Sequence, residues 1–235
     1  MTVIHGDLSR ETQFLQTVAK ALGRDKALSV APTRQEAGPP AFWREQQFEN
    51  TQPLALFKTN LEALTGKVVI VRDGSEATNQ IKLWLKVLNA KSAILWDHPT
   101  LRKYIEPAQL GVKAVFWNNE RSREELIEIA EQSDVGITWV DYAIGYTGTV
   151  ALFNGAATGR SVSLLPPTHI AVMRQADIVP TMSTVMRELL ARCGQGNLPS
   201  AIDFITGPSR TSDIEMDLSI GVHGPVRIWA VVIED

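Results

Sequence analysis

The chain has 235 residues, of which 44% are hydrophobic and 21% are charged, and its formal net charge is −3. A chain of this length forms one large α/β domain, or one domain with an appendage, and buries enough surface to fold without disulfides or a structural metal. Nucleic-acid binding is disfavoured, because counterion release requires a basic face and the chain has no block of lysines and arginines.

The chain contains a single cysteine, Cys193, which excludes an internal disulfide framework and an iron–sulfur cluster held by this chain's own cysteines. Cys193 follows an apolar helical stretch, which predicts a buried thiol. The N-terminus lacks the long apolar region of a signal peptide, and the longest apolar runs are far shorter than a membrane span. These features predict a cytoplasmic protein.

The first segment predicts a helix followed by an irregular arm. Ser9 can cap a helix whose apolar residues recur at helical spacing, namely Phe14, Leu15, Val18 and Leu22. The stretch 29–47 is rich in proline and glycine, which disrupt regular structure. We expect residues 1–63 to form this helix and arm, and residues 64–235 to form an α/β domain.

From residue 64 onward, short β-rich runs alternate with helical segments. The runs lie at 66–71, 91–97, 112–117 and 134–140, and amphipathic helical spacing separates them. Strand, helix and strand at such intervals predict βαβ crossovers in a mainly parallel sheet with helices on both faces.

After Asp141 the short apolar runs follow one another closely, at 148–154, 160–166, 168–173 and 176–180. Parallel neighbours need a long crossover, so these short gaps predict antiparallel neighbours or edge strands, and therefore a mixed sheet. The chain then continues with a helix and two further strands. The helix has four apolar residues on one face, Met182, Val185, Met186 and Leu189.

The stretch FITGPSRTSDIE, residues 204–215, places many polar groups at the end of a strand. Ser212 and Glu215 have the spacing of a helix capping box, which accounts for the hydroxyls structurally. Capping leaves Arg210, Thr211 and Asp213 unexplained, and a guanidinium beside backbone N–H groups suits an anion. The residues alone support an anion site and a structural cap equally.

Two other clusters carry groups of possible chemical use. Thr147, Gly148, Thr149 and Arg160 can bind a carboxylate or phosphate, although a pair of tight hairpin joints explains them as well. His169 and His223 are the candidate bases, but their settings are also typical of a hydrogen-bonded core histidine and of a sharp turn. No histidine spacing typical of a metal site is present, so we predict none.

The segments TGTVALF, RSVSLLPPTHIAV, ITGPSRTSDIE and GVHGP occur together in this order, and this combination resembles the LUD-domain family, specifically its lactate utilization C proteins. The resemblance implies the three-layer α/β/α sandwich of sugar-phosphate isomerases and CoA transferases. It also implies a role in oxidising L-lactate to pyruvate beside two iron–sulfur partners, the lactate utilization proteins A and B. The family commonly has an acid before Thr-Gly-Thr, whereas this chain has Tyr146, whose phenol is neutral at pH 7.

The leading hypothesis is therefore a small-carboxylate pocket without a redox centre, with His169 or His223 as the base. This chain is expected to bind no cofactor, because it lacks cluster ligands and a G-x-G-x-x-G motif after a strand, and the clusters would sit on the partners. The candidate binding residues are Thr147, Gly148, Thr149, Arg160, Thr206, Gly207, Ser209, Arg210, Thr211 and Asp213.

Two alternatives remain open from the sequence. The first is an enzyme of this fold that acts on a phosphorylated or CoA-linked metabolite, with Glu215 as its candidate acid, although fold analogy is a weak argument for function. The second is a non-catalytic assembly subunit that docks its partners through aromatic residues of the arm, Phe42, Trp43 and Phe48.

Overall fold

The computed structural model describes residues 8–30, 52–196, 198–212 and 218–234, and the chain divides into two compact units, Met1–Gln47 and Phe48–Asp235. In the first unit, helix α1 (Leu8–Ala21) confirms the predicted N-terminal helix. Its Gln16 amide donates to the Asp25 carbonyl at 2.7 Å, which fastens the following turn. The arm residues Phe42, Trp43 and Phe48 lie outside the described residues.

The second unit is built on a parallel sheet that the described residues form with six strands. Its order is β1-β12-β7-β4-β2-β3, and every pairing in it is parallel. This sheet, with the helices packed against it, confirms the predicted three-layer α/β/α fold. The strands are β1 (Lys67–Val71), β2 (Ser92–Trp96), β3 (Lys113–Trp117), β4 (Val135–Trp139), β7 (Thr168–Arg174) and β12 (Arg227–Ile233).

Local sequence signals set the helix starts. Asp73 accepts a hydrogen bond from the Glu76 N–H at 2.9 Å, and Ser122 forms a reciprocal capping box with Glu125. Proline occupies the first turn of two helices, where its missing N–H costs nothing. The helices of this unit are α2 (Pro53–Ala63), α3 (Gly74–Val87), α4 (Pro99–Tyr104), α5 (Arg123–Gln132), α6 (Ser161–Leu164) and α7 (Met182–Gly194).

The core lies on both faces of the parallel sheet. Strands β4 and β7 are buried almost along their whole length, as expected for strands covered on both faces. Burying an isoleucine or leucine side chain contributes roughly 1.5–3 kcal/mol each, and Ile94, Leu95 and Ile137 are fully buried. Helix α2 belongs to this core through Phe57 and Leu61, although its residues fall within the predicted arm, 1–63.

A second sheet confirms the antiparallel pairing predicted after Asp141, but the run 168–173 is β7, an interior strand of the parallel sheet. The order of the second sheet is β8-β5-β6-β9, and α7 packs Val185 and Leu189 against it. Strand β6 pairs antiparallel with both β5 and β9. The strands are β5 (Tyr142–Ile144), β6 (Thr149–Asn154), β8 (Ile178–Val179) and β9 (Ala201–Ile205).

Two further local predictions were wrong. Residues 161–164 form the short helix α6 rather than a strand. Cys193 is exposed, since it lies in the last turn of α7, beyond the buried Leu189. Ser212 ends strand β10 (Arg210–Ser212), which pairs antiparallel with β11 (Leu218–Ile220), and the predicted capping box with Glu215 extends into residues outside the described ranges.

The described helices include none that is both long and apolar enough to cross a membrane.

Candidate functional site

The threonines of the predicted site come together at one end of β6. The Thr149 hydroxyl lies 2.6 Å from that of Thr147 and 2.7 Å from that of Thr206, so the three form one hydrogen-bonded chain. Gly148 has φ 64, and a Cβ there would lie 2.5 Å from the Leu61 nitrogen of α2. Glycine is therefore needed for the turn to approach α2.

Arg210 lies beside the same end of α2. Its Nη2 donates to the carbonyl of Leu64 at 2.9 Å and lies 3.4 Å from the Thr65 hydroxyl. Gly207 has φ 80 and packs against Leu64, the residue that ends α2. Carbonyl oxygens at a helix C-terminus favour a cation and repel an anion. Arg210 therefore stabilises a helix end, in a place that disfavours a carboxylate ligand.

Ser209 and His223 meet in the adjoining turn. The Ser209 hydroxyl accepts from the backbone N–H of His223 at 3.3 Å, and the Ser209 carbonyl accepts from Gly221 N at 3.0 Å. The His223 side chain is exposed. Thr211 lies in β10, and Asp213 and Glu215 lie outside the described residues.

His169 lies inside the parallel sheet, away from solvent. It is fully buried, its Nε2 is 2.8 Å from the Thr138 hydroxyl, and its Nδ1 has no partner among the described residues. Burial lowers the pKa of His169 to about 3, so the ring is neutral at pH 7. A side chain with no exposure cannot take a proton from a ligand in a cleft, so His169 acts in the core of the fold.

We expect His169 to make the fold acid-sensitive. Its pKa falls from 6.5 to about 3 on folding, so the unfolded chain binds the extra proton below pH 6.5, and folding stability falls as pH drops. Between pH 6.5 and 4.5 the loss is about 2–3 kcal/mol. Urea unfolding of the wild type and His169→Gln at both values measures it. Between these two pH values, His169→Gln should lose about 2–3 kcal/mol less stability than the wild type. Equal losses would show that the buried His169 is not the source of the acid sensitivity.

Arg160 lies at a different place, in a cavity at the carboxyl end of β3. The cavity has a volume of about 530 Å³ and lies between the start of α5 and the loop 154–160. Ligands of open α/β sheets bind outside the carboxyl ends of the strands, so this position is typical of a ligand site. The polar side chains that line it include Asn118, Arg121, Arg123, Asn154, Arg160 and Ser200.

Two tryptophans hold the loop 154–160 over the sheet edge. Trp96 Nε1 donates to the Gly159 carbonyl at 2.9 Å, and Trp117 Nε1 donates to the Ala156 carbonyl at 3.2 Å. A Cβ on Gly159 would lie 2.6 Å from Trp117 Nε1, so only glycine allows this approach. The strand-end tryptophans thus fix one wall of the cavity.

A buried carboxylate organises the charged groups of the cavity. Asp203 in β9 accepts from Arg160 Nε at 3.0 Å and from Asn154 Nδ2 at 2.8 Å, and Arg160 Nη2 forms an ion pair with Asp203 Oδ1 at 3.0 Å. Arg121 and Arg123 have no ion-pair partner in the part of the chain that the structure describes. Three arginines line the cavity and one is paired, so two guanidiniums remain available to an anion.

The structure therefore divides the predicted site residues between two places. Thr149 begins β6 and Asn154 ends it, and five residue steps at about 3.4 Å separate them by roughly 17 Å. The threonine cluster and Arg210 lie at the first end, and Arg160 lies at the second. The expected single hollow that joins Thr147, His169 and Arg210 is not formed.

Arg121, Arg123 and Asn154 were not predicted as site residues. Arg121 and Arg123 follow β3 in the polar stretch NNERSR, residues 118–123, directly after the strand ends at Trp117. A run of polar side chains at that position is the signal that could have found them.

The structure shows an α/β protein with an open parallel sheet and an arginine-lined cavity at its carboxyl edge. Residues 54–233 match the family model described as the LUD domain, so the chain belongs to the LUD domain family, and the predicted resemblance is confirmed.

Two relatives support this assignment, and a solved structure is similar in fold. The chain is 35% identical over 234 residues to "Lactate utilization protein C" of Halalkalibacterium halodurans, covering 97% of this chain and 99% of the relative. It is 29% identical over 238 residues to the protein of the same name from Bacillus subtilis, covering 98% of each. A crystal structure of a DUF162 family protein from Deinococcus radiodurans matches 77% of this chain and 96% of its own, with a TM-score of 0.54 and 23% identity, and shows similarity of fold alone.

Proposed function

We propose that this protein is a component of an L-lactate utilization system, in which it binds a small carboxylate and works with the iron–sulfur partners A and B. The cavity with three arginines at the carboxyl end of β3 is the observation that carries the proposal. Guanidinium groups pair with carboxylates through two parallel hydrogen bonds, which fixes the orientation of the ligand as well as its charge. The names of the relatives support lactate as the carboxylate.

The cavity is suited to binding rather than to proton transfer. Oxidation of lactate to pyruvate releases two electrons and two protons, so it needs a base and an electron acceptor. Among the described residues that line the cavity, none is His, Asp, Glu, Lys, Tyr or Cys. The chain has one cysteine, so the electrons would pass to the clusters of the partner proteins. This division of labour assigns anion binding to this chain.

Replacing Arg121 and Arg123 together by glutamine tests the proposal. We expect lactate binding to weaken by about tenfold or more, because each replacement removes a charge-assisted hydrogen-bond donor. Titration calorimetry with L-lactate measures the binding. Lactate-dependent reduction of an artificial acceptor, with partners A and B present, measures the function.

The matched control is Arg187→Gln, which removes an exposed arginine from α7, outside the residues that line the cavity. The control should bind lactate and support turnover like the wild type. Wild-type binding by the double variant, or equal turnover by the partners without this chain, would contradict the proposal.

A phosphorylated or CoA-linked metabolite is the second candidate, and the size of the cavity favours it. A volume of about 530 Å³ lies within the range of sites for drug-sized ligands and exceeds what a three-carbon acid fills. Two available guanidiniums also suit a phosphate dianion. Thermal shifts with L-lactate, sugar phosphates and CoA separate the candidates, because a ligand that binds the native state raises its stability. Stabilisation by CoA or sugar phosphates, without any by lactate, would favour this candidate.

A further inference from the structure

The side chain of Asn154 contains a buried acceptor that the protein does not use. Asn154 ends β6, lines the arginine cavity and is 3% exposed. Its Nδ2 donates to the Asp203 carboxylate at 2.8 Å. Its Oδ1 is buried and has no donor among the described residues.

Chemistry fixes which way the Asn154 amide points. An ionised carboxylate only accepts hydrogen bonds, so the amide nitrogen must face Asp203, and the carbonyl oxygen must point away from it. A buried acceptor without a donor is unfavourable, because it has lost its bonds to water and gained none in return. Any group that brings a donor to this oxygen therefore gains binding free energy.

The acceptor and a guanidinium belong to one hydrogen-bonded unit. Asp203 binds both Arg160 and Asn154, so both side chains lie within reach of one carboxylate. The Arg160 side chain is 57% exposed and lines the cavity, so it can pair with a ligand carboxylate as well. A molecule with a carboxylate and a neighbouring hydroxyl matches this arrangement.

We propose that Asn154 makes the cavity selective for a 2-hydroxy acid over the corresponding 2-oxo acid, an inference that rests on the proposed function. The hydroxyl of a 2-hydroxy acid can donate to Oδ1 while its carboxylate pairs with the arginines. The oxo group of pyruvate has no hydrogen to donate, so it would leave Oδ1 unsatisfied. Sites built to hydrogen-bond one polar group reject analogues that lack it.

The buried position of Oδ1 has a consequence for how the ligand enters. A ligand hydroxyl reaches the oxygen only if the side chains of the cavity wall shift. Asn119 lines this wall and is exposed, so it can move without disturbing the core. Oxidation converts the ligand hydroxyl, which donates to Oδ1, into an oxo group that cannot donate. The oxo acid therefore binds more weakly, which favours its release.

Calorimetric titration of the full chain with L-lactate and with pyruvate tests the proposal. We expect the wild type to bind L-lactate about tenfold more tightly, the ratio that one satisfied buried acceptor supplies. Asn154→Ala should bind both anions with similar affinity, because it lacks the acceptor. Asn79→Ala, which removes an exposed asparagine of α3 outside the residues that line the cavity, should keep the preference.

The outcomes separate this inference from the proposed function. If the wild type binds both anions equally, the inference is wrong and the carboxylate cavity stands. If it binds neither, the proposed function fails, and the inference fails with it. A preference that survives in Asn154→Ala would assign selectivity to another residue. If that variant does not fold, wild-type binding of propionate decides: propionate lacks the hydroxyl, and affinity equal to that of lactate overturns the inference.

Discussion

Gly136→Ala is expected to destabilise the protein by about 4 kcal/mol or more. Gly136 is the second residue of β4, where a Cβ would overlap the carbonyl oxygen of Val162 and lie 2.9 Å from its carbonyl carbon. These are backbone atoms of α6, so no side chain can rotate to make room, and the helix or the sheet must move. Overpacking that side chains relieve costs typically about 1–3 kcal/mol, so a backbone overlap should exceed that range.

The displacement should also reach the cavity. Helix α6 begins at Ser161, directly after Arg160, so moving α6 away from β4 moves the guanidinium that Asp203 holds. Urea unfolding measures the stability, and Gly194→Ala is the matched control, because nothing lies within 4 Å of a Cβ there. Gly194→Ala should leave the free energy of unfolding unchanged or raise it by up to about 1 kcal/mol. If Gly136→Ala stayed within 1 kcal/mol of the wild type, the described packing of α6 would be wrong.

Arg160→Ala is expected to weaken anion binding by at least about tenfold and to lower stability by about 2 kcal/mol. The substitution removes the ion-pair partner of Asp203, which is 9% exposed and, among the described residues, keeps only its bond from Asn154. Breaking a fully buried ion pair costs about 3–5 kcal/mol, but the Arg160 side chain is 57% exposed, so solvent reduces the loss. Calorimetry with L-lactate and urea unfolding measure the two effects.

Two further variants make the Arg160 result specific. Arg160→Lys keeps the positive charge but lacks the planar guanidinium. Its affinity for L-lactate should therefore lie between those of Arg160→Ala and the wild type. Arg210→Ala should leave lactate binding unchanged, because Arg210 bonds the Leu64 carbonyl at the end of α2. If Arg210→Ala abolished binding while Arg160→Ala did not, the site would lie at the threonine cluster instead.

The sequence predicted the parallel sheet well, because its signals are local. Alternating β-rich runs and amphipathic segments identify each strand and helix from its own residues, and Ser122 with Glu125 marks the start of α5 in the sequence itself. The wrong assignments arose where the place of a segment in the fold decided the outcome. The run 160–166 is as apolar as a strand, but residues 161–164 form α6, whose Val162 carbonyl lies against Gly136 of β4.

The site was harder to predict, because its geometry depends on which strand ends share an edge. The polar residues around Thr147 and Arg210 do approach one another, but they surround the carbonyl end of α2. Arg160 meets Asp203 across 43 residues of sequence, and that pairing depends on the register of β6 with β9. The residues of the cavity also carry no sequence motif. Only the rule that ligands bind at the carboxyl ends of strands points to Arg121 and Arg123.

A crystal structure of the protein soaked with L-lactate would show where a carboxylate binds. We expect density for the ligand in the cavity at the end of β3, with its carboxylate within hydrogen-bond distance of at least one guanidinium of Arg121, Arg123 or Arg160. Density beside Thr147 and Arg210 instead, or an empty cavity at lactate concentrations that saturate binding in solution, would contradict this expectation.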